Sequence, residues 1–223
     1  MTPAANPILE AKVRTVKPDD FSAPHILRQE PAAGSAMDLR RLFRRQSASD
    51  FVGKVRPGMH TFCLSKGQFS LVDVLRELSN QVGPADLALS TWTVAHADLE
   101  ELQGLCTEAR FTRLRFLLDF SFQRRQPALL GHIRKTYGPE AVLVTRNHAK
   151  FLLLRTPELR LTVRTSMNLN FNPRLEDVEI KECAALHGFL EAILDDLFAA
   201  HDKKAQAGKS SAELSAEFAR LTL

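Results

Sequence analysis

From Gly58 onward, the sequence alternates between short apolar runs and longer segments whose apolar residues recur at helical spacing. Residues 60–64 are typical of a strand. Residues 69–82 are predicted to form a helix, because Leu71, Val74 and Leu78 fall on one face and Ser70 can cap its N-terminus. The same alternation predicts strands at 86–94 and 111–120 and helices at 97–107 and 127–136. This order favours an α/β domain built on a mixed β-sheet flanked by helices.

The second half of the sequence is richer in strands. The predicted strands are 141–144, 150–154, 159–164 and a short one around Val178 and Ile180. A long helix is predicted over 183–200, where leucine and phenylalanine recur at helical spacing. Functional residues of α/β sheets gather at strand ends, so the start of the strand at 150–154 is a reasonable place for a site.

The two ends of the chain differ from this regular middle. Residues 1–50 are predicted to be an N-terminal arm, proline-rich and partly irregular, with a basic helical segment over 37–46. That segment could contact nucleic acid or could be a solvated helix or linker. Residues 51–200 are predicted to be the folded domain, and 201–223 a polar linker followed by a short C-terminal helix.

Composition places the chain among ordinary globular proteins, with 44% hydrophobic and 25% charged residues. Its three cysteines, Cys63, Cys106 and Cys183, are widely spaced and odd in number, which indicates buried thiols in a reducing compartment rather than a disulfide framework. The first residues lack the basic and apolar regions of a secretory signal, and no apolar run is long enough to span a membrane. We therefore expect a cytoplasmic protein without a membrane partner.

The net charge of +4 is concentrated in one block. Residues 109–175 carry 13 Lys and Arg against 3 Asp and Glu, whereas the rest of the chain has an acidic excess. A basic block of this kind favours a polyanionic partner such as nucleic acid, although a solvated basic face would give the same count.

Within that block, His148 and Lys150 stand two residues apart at the start of an apolar strand, and Ser166 and Asn168 repeat the same spacing further on. Residues two apart in an extended strand point to the same face, so each pair is predicted to project together. An imidazole, a cation, a hydroxyl and an amide that converge would suit a phosphate. Another His-x-Lys, at His201, is discounted because it lies in a polar tail and has no Ser-x-Asn after it.

These residues, with Asn172 and Glu176 downstream, resemble the signature of the phospholipase D superfamily: His-x-Lys-x4-Asp, then Gly-Ser-x-Asn, then a Glu. The resemblance covers mainly residues 141–182 and implies a phospholipase D-like mixed β-sheet flanked by helices. It also implies a phosphodiesterase that needs no metal or other cofactor.

The resemblance assigns a role to each residue. His148 would be the nucleophile and form a phosphohistidine, while Lys150 and Asn168 would bind phosphoryl oxygens. Ser166 would support the phosphate site, and Glu176 would hydrogen-bond and orient a histidine. The chemistry of the side chains agrees, since a phosphodiester is anionic and a neutral histidine held by a carboxylate can attack phosphorus.

The sequence departs from the signature at two positions. The aspartate of the pattern falls at Arg155, and the glycine before Ser166 is Thr165. If the aspartate is structural, activity survives its loss; if it tunes Lys150, activity is lost.

The single credible motif bears on assembly. Family members use two His-x-Lys motifs, one histidine as nucleophile and one as leaving-group acid. One motif therefore implies a homodimer with a shared site, as in the nucleases of the superfamily. Three functions follow: an endonuclease on DNA or RNA, with DNA favoured; a nucleic-acid-binding module without catalysis; and, ranked last, a phospholipid-acting enzyme.

Overall fold

The computed structural model describes residues 38–41, 47–65, 67–171 and 173–206. Eight strands make one sheet: β1 Asp38–Arg41, β2 His60–Ser65, β3 Ala85–Thr91, β4 Phe111–Asp119, β5 Val142–Thr145, β6 Phe151–Arg155, β7 Arg160–Thr165 and β8 Glu176–Glu182. Six helices surround it: α1 Ala48–Val52, α2 Leu71–Val82, α3 His96–Thr107, α4 Phe120–Arg125, α5 Pro127–Tyr137 and α6 Ala184–Gln206. The predicted mixed α/β sheet flanked by helices is confirmed.

The order of strands across the sheet is β1-β2-β8-β7-β6-β3-β4-β5. The pairs β1/β2, β3/β4 and β4/β5 are parallel, whereas the four pairs from β2 to β3 across the middle are antiparallel. It follows that β6 and β8 run opposite to the other six strands. The strand ends on one side of the sheet are therefore the C-terminal ends of β1–β5 and β7 and the N-terminal ends of β6 and β8. We call this side the upper edge.

The two faces of the sheet are covered unequally. The larger hydrophobic core lies on the face covered by α1–α5, with Phe51, Leu75, Leu102 and Phe122 completely or almost completely buried. The amphipathic pattern of α2 ends at Gly83, whose positive φ of 73° suits a residue without a Cβ. On the other face, α6 is the helix that the described residues place over the centre of the sheet, through Leu194 and Phe198. The centre of the sheet is thus buried on both faces.

Two predicted elements are wrong where the structure describes them. The basic segment at 37–46 was expected to be helical, but its residues 38–41 form β1, because they find a parallel partner in β2 that local propensity cannot reveal. The linker expected after 201 is wrong up to Gln206, since α6 continues through lysine, alanine and glutamine, which are good helix formers. The N-terminal residues 1–37, the rest of the basic segment and the C-terminal helix expected after residue 211 lie outside the described residues. The predicted domain limits remain predictions.

Candidate functional site

An open cleft of about 950 Å³ begins at the upper edge of the sheet and extends down the face beside α6, where Phe62, Glu179 and Leu190 line it. Its lining includes His148 and Lys150, which precede β6, and Ser166, which follows β7. Thr165 and Asp177 contribute from the adjoining ends of β7 and β8. Three of the five residues selected from the sequence therefore line one cleft, although they come from different strands.

His148 and Lys150 contact each other directly. They lie in the loop before β6 and not within a strand, so the predicted strand geometry is wrong at these two positions. The Lys150 ammonium nitrogen lies 3.3 Å from both ring nitrogens of His148 and donates to the His148 carbonyl oxygen at 2.9 Å. Partial burial lowers the pKa of Lys150 from its ordinary value, and the negative charge of Glu176 opposes that shift. A cation is thus held beside an exposed imidazole, where an anionic oxygen could meet both.

Asn147 fixes the backbone that carries His148. Its side chain is 8% exposed, and its amide nitrogen donates to the Ser90 hydroxyl at 3.0 Å and to the carbonyl oxygens of Leu117 and Ala149, both at 3.3 Å. Its amide oxygen accepts from the Ala149 backbone N–H at 3.1 Å. Ser90 closes the network by donating to the Ala149 carbonyl oxygen at 2.9 Å. The residues on both sides of His148 are therefore tied to β3 and β4.

Asp119, at the end of β4, also supports this loop. Its carboxylate accepts from the backbone N–H of Asn147 at 3.1 Å and from that of Ser121 at 2.9 Å, where it caps α4. Burial raises the pKa of Asp119, but the hydrogen bonds from Ser121 and Asn147 outweigh it, so the pKa lies below its ordinary value. One carboxylate thus connects the loop of His148 to the start of α4.

Ser166 and Glu176 form a second pair. The Ser166 hydroxyl donates to the Glu176 carboxylate and accepts from the backbone N–H of Asp177 at 3.0 Å. Glu176 was predicted to orient a histidine. Within one chain its hydrogen bond is to Ser166, and its charge acts on Lys150. The orienting role remains a prediction.

Asn168 lies beside the cleft and is not among the residues that line it. Its side-chain oxygen accepts from the Trp92 backbone N–H at 3.2 Å and lies 3.4 Å from the Thr91 hydroxyl. The same hydroxyl accepts from the Leu169 N–H at 3.1 Å, which fixes the adjoining backbone. Within the described ranges, the hydrogen bonds shown for the Asn168 side chain involve its oxygen. Ser166 and Asn168 therefore hydrogen-bond to different partners. They do not project as one pair, although strand geometry predicted that they would.

Arg155, which replaces the aspartate of the superfamily pattern, is engaged far from the cleft. It lies at the opposite end of β6 from Phe151, about 13 Å away along an extended strand. Its guanidinium pairs with Asp86 at 2.5 Å and with Glu191 of α6 at 3.1 Å. These partners hold α6 to the sheet, so at this position the side chain serves packing.

The remaining histidines lie elsewhere in the part of the chain that the structure describes. His60, predicted to be structural or exposed, contacts Glu179 at 2.6 Å, and His96 and His132 pack against each other with ring centroids 6.2 Å apart. His187 belongs to α6 and is almost completely buried. Cys63 and Cys183 are buried, as predicted, whereas Cys106 is only half-buried. Asn172 lies outside the described residues.

Ser90 and Thr91, at the end of β3, support loops at the cleft and were not selected from the sequence. Ser90 and Thr91 are completely buried, yet each bonds the backbone of a loop at the cleft. Two consecutive hydroxyl residues at the end of an apolar strand were the available signal. Among the described residues, no three His, Cys, Asp or Glu side chains come together in a way that could hold a metal ion. None of the helices in the described ranges is long and apolar enough to cross a membrane.

Comparison with known proteins finds little at the level of sequence. No family model matches the chain, and no curated protein matches it. Among solved structures, NucT from Helicobacter pylori matches with a TM-score of 0.45 and 8% identity, over 63% of this chain and 95% of that chain. A likeness this distant transfers neither the activity nor the residues of NucT to this chain.

Proposed function

We propose that this protein is a phosphodiesterase of the phospholipase D type that cleaves DNA or RNA as an endonuclease without a metal ion. The observation that carries the proposal is the convergence of His148, Lys150 and Ser166 on one open cleft, with Glu176 bonded to Ser166. The loops that bring them together are held by buried hydrogen bonds, which is the preorganisation that transition-state stabilisation requires.

In this proposal a ring nitrogen of His148 attacks phosphorus, so an N–P bond forms and one P–O bond of the diester breaks. A general acid gives the leaving oxygen its proton. Water then attacks the phosphohistidine, which breaks the N–P bond and restores the histidine. Lys150 and the amide of Asn168 balance the charge that develops on the non-bridging oxygens, and the Ser166–Glu176 pair supports the floor of the cleft.

The leaving-group acid is proposed to come from a second copy of the chain. Within the described residues, His148 is the histidine that lines the cleft, and its side chain is exposed at the upper edge. A two-fold axis close to this edge would bring two such side chains together and would supply nucleophile and acid from identical residues. A homodimer with one shared site is therefore part of the proposal.

The position of Arg155 supports catalysis over a binding module without activity. The loss of the aspartate was the reason to consider a disabled site. Arg155 lies at the far end of β6, pairs with Asp86 and Glu191, and is not among the residues that line the cleft. The lowered pKa of Lys150 has its cause in burial and not in any group at position 155.

The test is nuclease activity in EDTA. We expect the wild-type chain to cleave a DNA or RNA oligonucleotide with all divalent metal chelated, and His148→Asn to lose at least about a thousandfold of that rate, as removal of a nucleophile does. His132→Gln, at an exposed site on α5, is the matched control and should cleave normally. Cleavage that needs a divalent metal, or that persists in His148→Asn, would contradict the proposal. Salt-sensitive binding without cleavage would instead support a nucleic-acid-binding module without catalysis.

A further inference from the structure

The large apolar side chains that remain exposed in the described residues all lie at one edge of the sheet. They are Phe120, Phe171 and Leu175, with 40%, 51% and 61% of their surface exposed. Phe120 follows the end of β4, while Phe171 and Leu175 belong to the segment between β7 and β8. All three are therefore at the upper edge, where His148 lies. Exposed apolar side chains gathered in one region indicate a binding surface.

Trp92, the single tryptophan of the chain, follows the end of β3 at the same upper edge and lies close to the candidate nucleophile. The Arg125 guanidinium carbon lies over its ring, 4.1 Å from the centroid, and an Arg125 nitrogen donates to the Trp92 carbonyl oxygen at 3.2 Å. The centroid of the His148 ring is 6.0 Å from that of Trp92. Arg125 thus contacts both the ring and the backbone of Trp92. The indole lies directly beside the proposed nucleophile.

Positive charge accompanies the aromatic rings at this edge. Arg124 and Arg125 lie on α4, immediately after β4, Arg146 follows β5 and Arg174 precedes β8; all four are exposed. A path of cations interleaved with aromatic rings is the arrangement by which proteins bind single-stranded nucleic acid. In such proteins the cations contact the phosphates and the bases stack on the aromatic rings. In a duplex the faces of the bases are covered by their neighbours, so they could not use these rings.

We propose that the substrate is a single-stranded nucleic acid, and that a base next to the scissile phosphate stacks against the Trp92–Arg125 pair. The inference rests on the proposed function, because it takes His148 as the point of cleavage. One nucleotide advances a strand by about 3.4 Å in B-form geometry, so a ring 6.0 Å from the nucleophile serves a base one or two positions away. Phe120 and Phe171 extend the path on the same edge.

The tryptophan supplies the measurement, because its fluorescence reports only on this position. The full chain carrying His148→Asn is titrated at fixed salt with a 12-nucleotide single strand, with the duplex of the same sequence, and with a single strand of equal charge that lacks bases. We expect quenching by the first, and affinity for it at least about tenfold above that for the other two, given that stacking on an aromatic ring is worth about 1–3 kcal/mol per base. The wild-type chain, which keeps His148, should cleave the single strand faster than the duplex in EDTA.

Substitutions separate stacking from folding. Trp92→Leu should weaken single-strand binding about tenfold, whereas Trp92→Phe should retain most of it. Phe120→Ala and Phe171→Ala alter exposed side chains and should each weaken binding several-fold while their thermal unfolding stays normal. These two variants keep the test decisive if Trp92→Leu does not fold.

The outcomes distinguish this inference from the proposed function. The single-strand inference is overturned if the duplex or the strand without bases binds as tightly as the single strand. It is also overturned if none of the three binds. Metal-independent cleavage of duplex DNA at the same rate as the single strand overturns it too, while leaving a nuclease. Quenching by the single strand, with no cleavage by the wild type, supports the stacking path and removes the proposed catalysis alone.

Discussion

Asn147 occupies the position next to His148, and its amide is almost completely buried. It bonds the Ser90 hydroxyl, two carbonyl oxygens and one backbone N–H, and these partners belong to three parts of the chain. A side chain with so many bonds in a buried place cannot be truncated without leaving polar groups unpaired. The direction of the His148 ring therefore depends on a neighbour that has no chemical role.

Replacing Asn147 by alanine should lower the free energy of unfolding by about 1–3 kcal/mol, because the Ala149 N–H and the carbonyl oxygens lose their partner. Urea denaturation followed by circular dichroism measures the change. Arg146→Ala, one residue earlier and exposed, is the control and should change stability by no more than about 0.5 kcal/mol. Equal stability of Asn147→Ala and wild type would show that the network does not hold the loop.

At the scale of residues, the sequence predicted side chains with intrinsic chemistry, three of which line one cleft, but it did not predict the residues that hold their loops in place. His148, Lys150 and Ser166 were found because their types and spacing suit a phosphate. Asn147 and Ser90 interact across 57 residues of sequence, and no local pattern reveals that pairing. Strand geometry also misplaced Asn168, whose direction comes from a hydrogen bond to the backbone of Trp92.

The helix α6 encloses a charged cluster between itself and the sheet. His187 is 1% exposed, and neither of its ring nitrogens has a hydrogen-bond partner in the part of the chain that the structure describes. Burial, reinforced by the positive charges of Arg160, Arg155 and Arg115, lowers the pKa of His187 to about 4. Its closest carboxylate, Glu191, lies 3.7 Å away and is itself engaged with Arg155 at 3.1 Å. A histidine of α6 is thus buried in its neutral form among these charges.

This arrangement predicts a loss of stability in acid. The folded-state pKa lies below the ordinary value of 6.5, so the unfolded chain binds the proton more readily. The stabilising contribution is complete above pH 6.5 and is lost as the pH falls towards 4, by about 3 kcal/mol in total. Urea denaturation at pH 7.5 and 4.5 should show a smaller loss in His187→Leu than in wild type, whereas His132→Gln on α5 should behave as wild type. The same loss in all three proteins would contradict the assignment.

Elements with strong periodicity were predicted well, and those defined by long-range pairing were not. α2 was found from its apolar face and its Ser70 cap, and the structure shows both. β1 was expected to be helical because arginine-rich segments favour helices in isolation; its pairing with β2 decides otherwise. The order of strands across the sheet could not be derived from spacing, since β8 is inserted between β2 and β7.

At the scale of the whole molecule, the proposed shared site makes activity depend on pairs of chains. When wild type is mixed with His148→Asn and the subunits exchange, only dimers with two wild-type chains keep both nucleophile and acid. With equal amounts of each chain, we expect about one quarter of the activity of the all-wild-type protein, and about one half if each chain acts alone. Cleavage rates across a series of mixtures measure this. His132→Gln used as the second chain should leave the rate unchanged, and a linear decline with His148→Asn would contradict a shared site.

The place of β8 in the sheet has a consequence for synthesis of the protein on the ribosome. β1 and β2 join the other strands only through β8, which pairs with β2 and β7 and brings Glu176 and Asp177 to the cleft. Because a chain emerges from its N-terminus, the first strands must wait until residue 182 has left the exit tunnel. The nascent chain therefore has an incomplete cleft until β8 has emerged and paired with β7 and β2.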